Sequence, residues 1–365
     1  MAKIIISGGG TGGHIFPAIA IADALMQLDA QTEILFVGAE GKMEMERVPK
    51  AGYKIIGLPI VGFQRKAIFK NLLFPLKLLK SLLKSRKIVT DFKPDVVVGV
   101  GGYASAPVLS AAQFNRIPTI IQEQNSYAGV TNKILSQKSQ KICVAYPDMA
   151  KYFPAEKIIW TGNPVRKDIL NLHHKRKEAN VHFGLHDDWQ TILVTGGSLG
   201  AFVLNESVAQ SIDFLKKQNN IQIIWQCGKS YFDKYKNSAV AQLQNVKLLS
   251  FLEHIDWAYA AADVVICRAG ALTISELCLA GKAAVLIPSP HVAEDHQTKN
   301  AMSLINCEAA LFLKDSVATA EALKMAVAIL SDTDLKHRLE QNILKLAKPD
   351  AAEDIAKEIF KQIKK

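Results

Sequence analysis

The sequence predicts an α/β protein built from two doubly wound parallel-sheet domains that face each other across a cleft. Three observations lead there. Short, continuously apolar runs alternate with stretches of helical spacing. The strand–glycine turn–helix pattern that opens the chain restarts near residue 193. The length of 365 residues, 49% of them hydrophobic, is enough for about two domains with a core each.

The strand-like runs are Lys3–Ser7, Glu33–Val37, Asp95–Val100, Thr119–Gln122, Thr191–Thr195, Ile221–Gln226, Val264–Cys267 and Ala284–Ile287. They do not alternate apolar with polar, which marks strands covered by helices on both faces of a parallel sheet. Stretches such as Ile15–Leu28 and Leu204–Lys216 supply the helical spacing between them. Ile4-Ile5-Ile6 running into Gly8–Gly13, and Leu193-Val194-Thr195 running into Gly196–Gly200, each open one domain. Gly162-Asn163-Pro164 breaks strand and helix alike, and the polar stretch Leu172–Asp188 follows. The first domain is therefore read as residues 1–163 and the second as 164–349. A helix over 350–365 is expected to pack back on the first. Sheets of this kind bind ligands beyond the C-termini of their strands.

The formal charge is +10, from 44 Lys+Arg against 34 Asp+Glu. Ten of those basic residues fall between Val48 and Thr90, a segment with no acid, so the remainder of the chain is balanced. The charge is thus a local device. Five scattered cysteines without a CxxC pair fit buried thiols in a reducing compartment and not a disulfide framework. The histidines show no metal-ligand spacing. No apolar run reaches the ~18 residues of a membrane span. Ile4-Ile5-Ile6 is too short for a signal-peptide core, and a cytoplasmic protein is the expectation.

Gly8, Gly10 and Gly13 satisfy GxGxxG, a weak motif by itself. Glycines let backbone approach a phosphate, and the helix start behind them offers free N–H groups and partial positive charge. A dinucleotide site also wants an acid ending the second strand, where Gly38-Ala39 stands with Glu40 slightly late. The loop Gly196–Gly200 fits GxGxxG less well. Two anion-binding turns suit a diphosphate-containing ligand better than NAD, with ligand-free tight turns as the other reading. His14, at a helix start, is either a neutral proton acceptor or a packing histidine.

In Arg268–Glu276, Thr273 and Glu276 have the spacing of a capping box, or else Glu276 accepts hydrogen bonds from ribose hydroxyls at an anion-binding helix start. Glu294–Asn300 suits a hydroxyl-rich ligand or a solvated helix start. Asp332-Thr333-Asp334 reads as a helix cap with first-turn acids, and no metal is assigned.

Taken together and in order, several segments resemble the MurG family, the peptidoglycan N-acetylglucosaminyltransferases. They are Gly9–Pro17, Gly101-Gly102-Tyr103, Glu123-Gln124-Asn125, Gly129-Val130-Thr131-Asn132, Gly162–Arg166, Gly196–Ala201 and Arg268–Glu276. The likeness covers nearly the whole chain. It implies a GT-B fold and inverting transfer of N-acetylglucosamine from UDP-GlcNAc to the C4 hydroxyl of the muramyl sugar in lipid I, giving lipid II. With no metal-ligand set in the sequence and UDP-GlcNAc a substrate, no cofactor is expected, and the expected place is peripheral, on the cytoplasmic face of the inner membrane. By the resemblance, Arg166, Ser198, Ile255, Ala271, Leu272, Thr273, Ile274, Ser275, Glu276 and Gln297 hold the UDP-sugar, with Glu276 on the ribose. Asn125 approaches the transferred sugar. Thr11, Gly12 and Gly13 are counted with the donor-binding residues, and also line the acceptor side beside Tyr103 and His14, the candidate base. Two positions depart from the family pattern: Gln122 stands where many members have His, and Leu199 where Gln is common. Other readings remain open: another GT-B nucleotide-sugar enzyme, an NAD(P)-dependent oxidoreductase using Gly8–Gly13, or a non-catalytic lipid-diphosphate adaptor.

Within the basic segment, apolar residues recur at helical spacing with lysines between them, and Pro75 suits the first turn of a helix. A core-facing helix with a solvated basic face would normally mix signs. We therefore read Lys66, Phe69, Lys70, Leu73, Lys77, Lys80 and Lys84 as a patch for an anionic membrane surface. Nucleic acid is disfavoured, because Leu and Phe fill the gaps instead of stacking aromatics interleaved with Arg.

Overall fold

The computed structural model describes residues 1–62, 74–170, 172 and 174–363. The chain forms two compact units, Met1–Arg166 with Lys348–Lys365, and Lys167–Ala347. The division falls three residues after the one read from the sequence, so that Arg166 belongs to the first unit.

Unit 1 runs β1 (Lys3–Ser7), α1 (Gly12–Leu28), β2 (Glu33–Ala39), α2 (Glu44–Lys50), β3 (Lys54–Leu58), α3 (Phe74–Phe92), β4 (Val96–Gly99), α4 (Ser105–Phe114), β5 (Thr119–Glu123), α5 (Val130–Ser136), β6 (Lys141–Val144) and β7 (Ile158–Trp160). All seven strands are parallel, in the order β3-β2-β1-β4-β5-β6-β7. Successive residues point to opposite faces, so Ile4 and Ile6 pack under α1 while Ile5 faces α3 and α4. Covering both faces is what makes Val96, Val97 and Val98 fully buried in a row.

Unit 2 runs α6 (Arg176–Phe183), β8 (Gln190–Thr195), α7 (Phe202–Ala209), α8 (Ile212–Leu215), β9 (Ile221–Gln226), α9 (Lys229–Tyr235), β10 (Val246–Leu249), α10 (Ile255–Ala261), β11 (Val264–Cys267), α11 (Ala271–Ala280), β12 (Ala283–Leu286), α12 (His296–Ile305), β13 (Leu311–Phe312), α13 (Asp315–Ser331) and α14 (Thr333–Leu344). Its parallel sheet has the order β10-β9-β8-β11-β12-β13. The doubly wound fold class read from the sequence holds for both sheets. A final helix, α15 (Ala351–Lys361), belongs to unit 1 and buries Ile355, Ala356 and Ile359 in the core beside α1.

Two helices differ from expectation. α1 starts at Gly12, not Ile15, because the Thr11 carbonyl accepts the amides of His14 and Ile15 (3.1 and 3.3 Å) and opens the helix earlier. Leu204–Lys216 is not one helix. Ser211 turns its hydroxyl back onto the Ser207 carbonyl (2.7 Å) at the break between α7 and α8.

Candidate functional site

In each unit the strand order reverses once, between β1 and β4 in unit 1 and between β8 and β11 in unit 2. Helices leave opposite faces of the sheet at such a point, and the loops beyond the strand C-termini open a crevice. Gly8–Gly13, Gly101–Tyr103, Ser198 and Arg268–Glu276 follow the strands that flank these two points, whereas Asn125, Ile255 and Gln297 follow β5, β10 and β12.

In unit 1, Gly8–Gly13 follows β1, Val100–Ala104 follows β4 and Gln124–Gly129 follows β5. The loops touch through glycines. A Cβ on Gly102 (φ +82°) would stand 2.2 Å from the Gly9 carbonyl oxygen, and one on Gly101 (φ +88°) would stand 2.8 Å from His14 Cδ2 and 2.9 Å from Nε2. Side chains are excluded there by sterics and by the left-handed backbone. His14, half-buried in the first turn of α1, has its Nδ1 3.2 Å from Thr11 Oγ1. Tyr103 is exposed and its ring lies over Gly62.

The first loop is not the open anion turn that its glycines suggest. Glu44, at the start of α2, is buried and takes the Gly10 amide on both carboxylate oxygens (3.1 and 3.0 Å) and the Ala39 amide on Oε1 (2.9 Å). Sequence reasoning missed this residue, which reads as an ordinary first-turn acid of an exposed helix.

Behind the site lies a closed amide ring. Gln124 Nε2 donates to Gln122 Oε1 and to the Val100 carbonyl (2.7 Å); Gln122 Nε2 donates to Asn163 Oδ1 (3.0 Å); Asn163 Nδ2 donates to the Gln124 carbonyl (3.0 Å). All three side chains are buried. Gln122 is therefore part of the scaffold. Glu123 is fully buried and accepts from the amides of Asn125 (3.1 Å) and Gly129 (3.0 Å) and from Asn132 Nδ2 (2.8 Å). Burial pushes its carboxyl up from the ordinary value, and these hydrogen bonds pull the other way. The carboxylate thus shapes the loop that carries Asn125. Arg166 sets its guanidinium 5.1 Å from the Phe16 ring, next to the start of α1.

In unit 2, the loop after β8 carries Gly197 (φ +79°) and Gly200 (φ +75°), and a Cβ on Gly200 would meet the Cys227 carbonyl oxygen at 1.9 Å. These glycines serve the turn and its packing. Ser198 and Leu199 project from it, exposed. After β11, Gly270 caps α11 without a side-chain bond. Thr273 lies inside the helix, so the Thr273–Glu276 capping box is not formed. Glu276 instead accepts from the Tyr259 hydroxyl at 3.1 Å, a partner that no local spacing announces. Ala271, Leu272, Thr273 and Ser275 are half-buried around the helix start, whereas Ile274 is in the core and offers only its backbone. Arg268 is spent inside the fold: its Nη1 donates to the carbonyls of Ile287 (3.0 Å) and Pro288 (3.2 Å) and pairs with Asp315. Gln297 Oε1 accepts the Ser289 amide (2.8 Å), which ties α12 to the loop after β12. Ile255 opens α10. Asp332 caps α14 by accepting from the Leu335 amide (2.9 Å).

In the basic segment, Lys66, Phe69, Lys70 and Leu73 lie outside the described residues. On α3 the inward face is made by Ser81, Ser85, Ile88 and Val89, while Leu76, Leu79 and Leu83 are 57%, 55% and 60% exposed. Lys80 is exposed beside them and Lys77 half-buried. Lys84 is paired with Glu40 at 2.9 Å, so an acid from outside the segment offsets part of its charge. No described helix is long and apolar enough to cross a membrane.

The N-terminal domain of glycosyltransferase family 28 matches residues 4–144, and the C-terminal domain of the same family matches residues 191–364. The chain is 52% identical to the UDP-N-acetylglucosamine–N-acetylmuramyl-(pentapeptide) pyrophosphoryl-undecaprenol N-acetylglucosamine transferase of Bacteroides thetaiotaomicron, over 98% of this chain and 97% of that one. It is 52% identical to the protein of that name from Flavobacterium psychrophilum, over 99% and 98%. Among solved structures, MurG of Acinetobacter baumannii aligns with a TM-score of 0.79 at 31% identity, covering 99% of this chain and all of that one. A UDP-GlcNAc 2-epimerase from Neisseria meningitidis aligns at a TM-score of 0.70 and 14% identity, a likeness of fold alone. With both of its domains matched and relatives this similar along its whole length, the chain belongs to glycosyltransferase family 28 and, within it, to the MurG family.

Proposed function

We propose that this protein transfers N-acetylglucosamine from UDP-GlcNAc to the C4 hydroxyl of the muramyl sugar of lipid I, with inversion, giving lipid II. One observation carries the reading: about half of all residues are identical, over nearly the full length, to relatives named for that transfer. The residues present suit it. In unit 2, helix α11 begins at the switch point, and a helix start with its partial positive charge is a place for a diphosphate; Glu276, in the second turn, is assigned to a ribose. Ser198, Ile255, Gln297 and the α11 start are assigned to the donor, and so are Asn125 and Arg166.

In unit 1, His14 is the proposed base. It takes the proton of the attacking hydroxyl as the C4 oxygen bonds to the anomeric carbon and the bond to UDP breaks. The UDP leaves with the electron pair, its charge met by the helix start. Thr11, Gly12, Gly13 and Tyr103 are assigned to the acceptor side. We further propose that α3 docks on anionic lipid through Leu76, Leu79, Lys77 and Lys80, at the cytoplasmic face of the inner membrane, where a polyprenyl-linked acceptor resides.

The test is UDP release from UDP-GlcNAc with and without a lipid I analogue. Acceptor-dependent release and a disaccharide product are expected. Release that ignores the acceptor, or none at all, rejects the reading.

A further inference from the structure

Glu44 turns its side chain inward from the first residue of α2 and is 1% exposed. Two glycines make room for it and a third binds it. A Cβ on Gly9 would stand 2.1 Å from its Oε1, one on Gly38 would stand 2.6 Å from its Cγ, and Gly10, at φ +91°, aims its amide at the carboxylate. A glycine-rich turn between a strand and a helix start, closing backbone amides on an anion, is what an open loop offers to a phosphate. Here the chain supplies the anion itself.

We propose that Glu44 is an intramolecular anion that occupies the first glycine loop and a positioning residue for the reaction. It fixes Gly10, and so the adjoining Thr11, whose carbonyl receives the His14 amide (3.1 Å) and whose hydroxyl meets the His14 ring. The Gly10 amide is thereby withdrawn from the acceptor's diphosphate, which must be held by other donors. The loop also ceases to be a general trap for phosphate or pyrophosphate, because the Glu44 side chain already takes the Gly10 amide that either would use.

The experiment has two arms, and only the second rests on the proposed transfer reaction. In the first, isotope-labelled wild-type protein is titrated with inorganic pyrophosphate while the Gly10 and Ala39 amides are followed by NMR. Both are expected to exchange slowly with solvent and to keep their shifts. A saturable shift of the Gly10 amide overturns the proposal. In the second, Glu44→Ala is expected to lose on the order of 100-fold in kcat, the loss an ångström-scale misplacement of a catalytic group produces, with the KM for UDP-GlcNAc nearly unchanged. Formate at millimolar concentration, entering the space left by the side chain, is expected to restore part of the loss in the variant and to do nothing to the wild type. Wild-type turnover in Glu44→Ala, or a folded variant that formate does not rescue, counts against the positioning role. If the variant does not fold, or if the wild type transfers no sugar, the amide arm still decides whether the loop is occupied.

Discussion

His14 and Glu276 belong to different units and are expected to fail in different ways. Replacing a general base removes an interaction made in the transition state, so, with His14 as the proposed base, His14→Ala is expected to lower kcat by roughly 10²–10⁴ with little change in UDP-GlcNAc affinity. A carboxylate that holds a ribose, the role proposed for Glu276, acts on ground and transition state alike. Glu276→Ala is expected to raise the KM for UDP-GlcNAc by about 10- to 100-fold, the worth of ~1.5–3 kcal/mol for a hydrogen bond to a charged group, with a smaller change in kcat. Steady-state kinetics on both variants checks the pair, and the opposite pattern would exchange their roles. The features that were legible in the sequence are local ones, such as the helix start at which His14 stands. Glu44 was not legible, because its amide partners come from Gly10, 34 positions away, and from Ala39 across a turn. Nor was the Tyr259–Glu276 bond, which joins neighbouring helices and left the T-x-x-E spacing as a false capping signal.

At the scale of elements, α3 shows why a pattern needs a structure to orient it. Leucines at helical spacing usually mark a core face. Here small serines face inward and Leu76, Leu79 and Leu83 face out. Flotation with anionic liposomes should weaken as salt rises and should largely vanish in the triple variant Leu76→Ser/Leu79→Ser/Leu83→Ser; salt-independent binding would reject the docking role.

The Lys282 amine, after the turn that ends α11, donates to the Ala262 carbonyl at 2.7 Å. Burial is the main cause that brings its pKa down from 10.5 to about 8, with Asp263 opposing. Below pH 8 the amine is charged folded and unfolded, and the cost of burying the charge is fully present. As pH rises from about 8 towards 10.5 the folded state releases the proton first, the unfolded state holds more protons, and stability increases. Lys282→Met is therefore expected to raise Tm at neutral pH and to flatten its climb through that window, as thermal melts will show.

Over the whole molecule, the two sheets were readable because parallel strands buried on both faces leave continuous apolar runs such as Val96-Val97-Val98. The restart of the pattern at Leu193 gave the second sheet. The place where the chain divides was harder to read, since Gly162 and Pro164 mark the turn while Arg166, beyond them, still stacks on Phe16 of unit 1. Each unit has its own core, and most of the residues assigned to the donor (Ser198, Ile255, Gln297 and the α11 start) are in unit 2. UDP-GlcNAc is expected to raise the unfolding temperature of unit 2 by mass action. Ile359→Ala, which opens a cavity under α1, should cost unit 1 about 2–5 kcal/mol and leave the UDP-dependent transition in place. Calorimetry with and without the nucleotide sugar separates the two; loss of both transitions together would mean that the units unfold as one.

The return of α15 to the first sheet has a consequence for biosynthesis. Residues 351–361 leave the ribosome only after all of unit 2 has been made, yet they complete the layer that covers Ile4, Ile6, Ile15 and Ile21. Until then the nascent first unit carries an open apolar flank, a ready contact for a chaperone or for another unfinished chain. A message cut short inside unit 2 would therefore yield an aggregation-prone fragment and not a smaller folded protein.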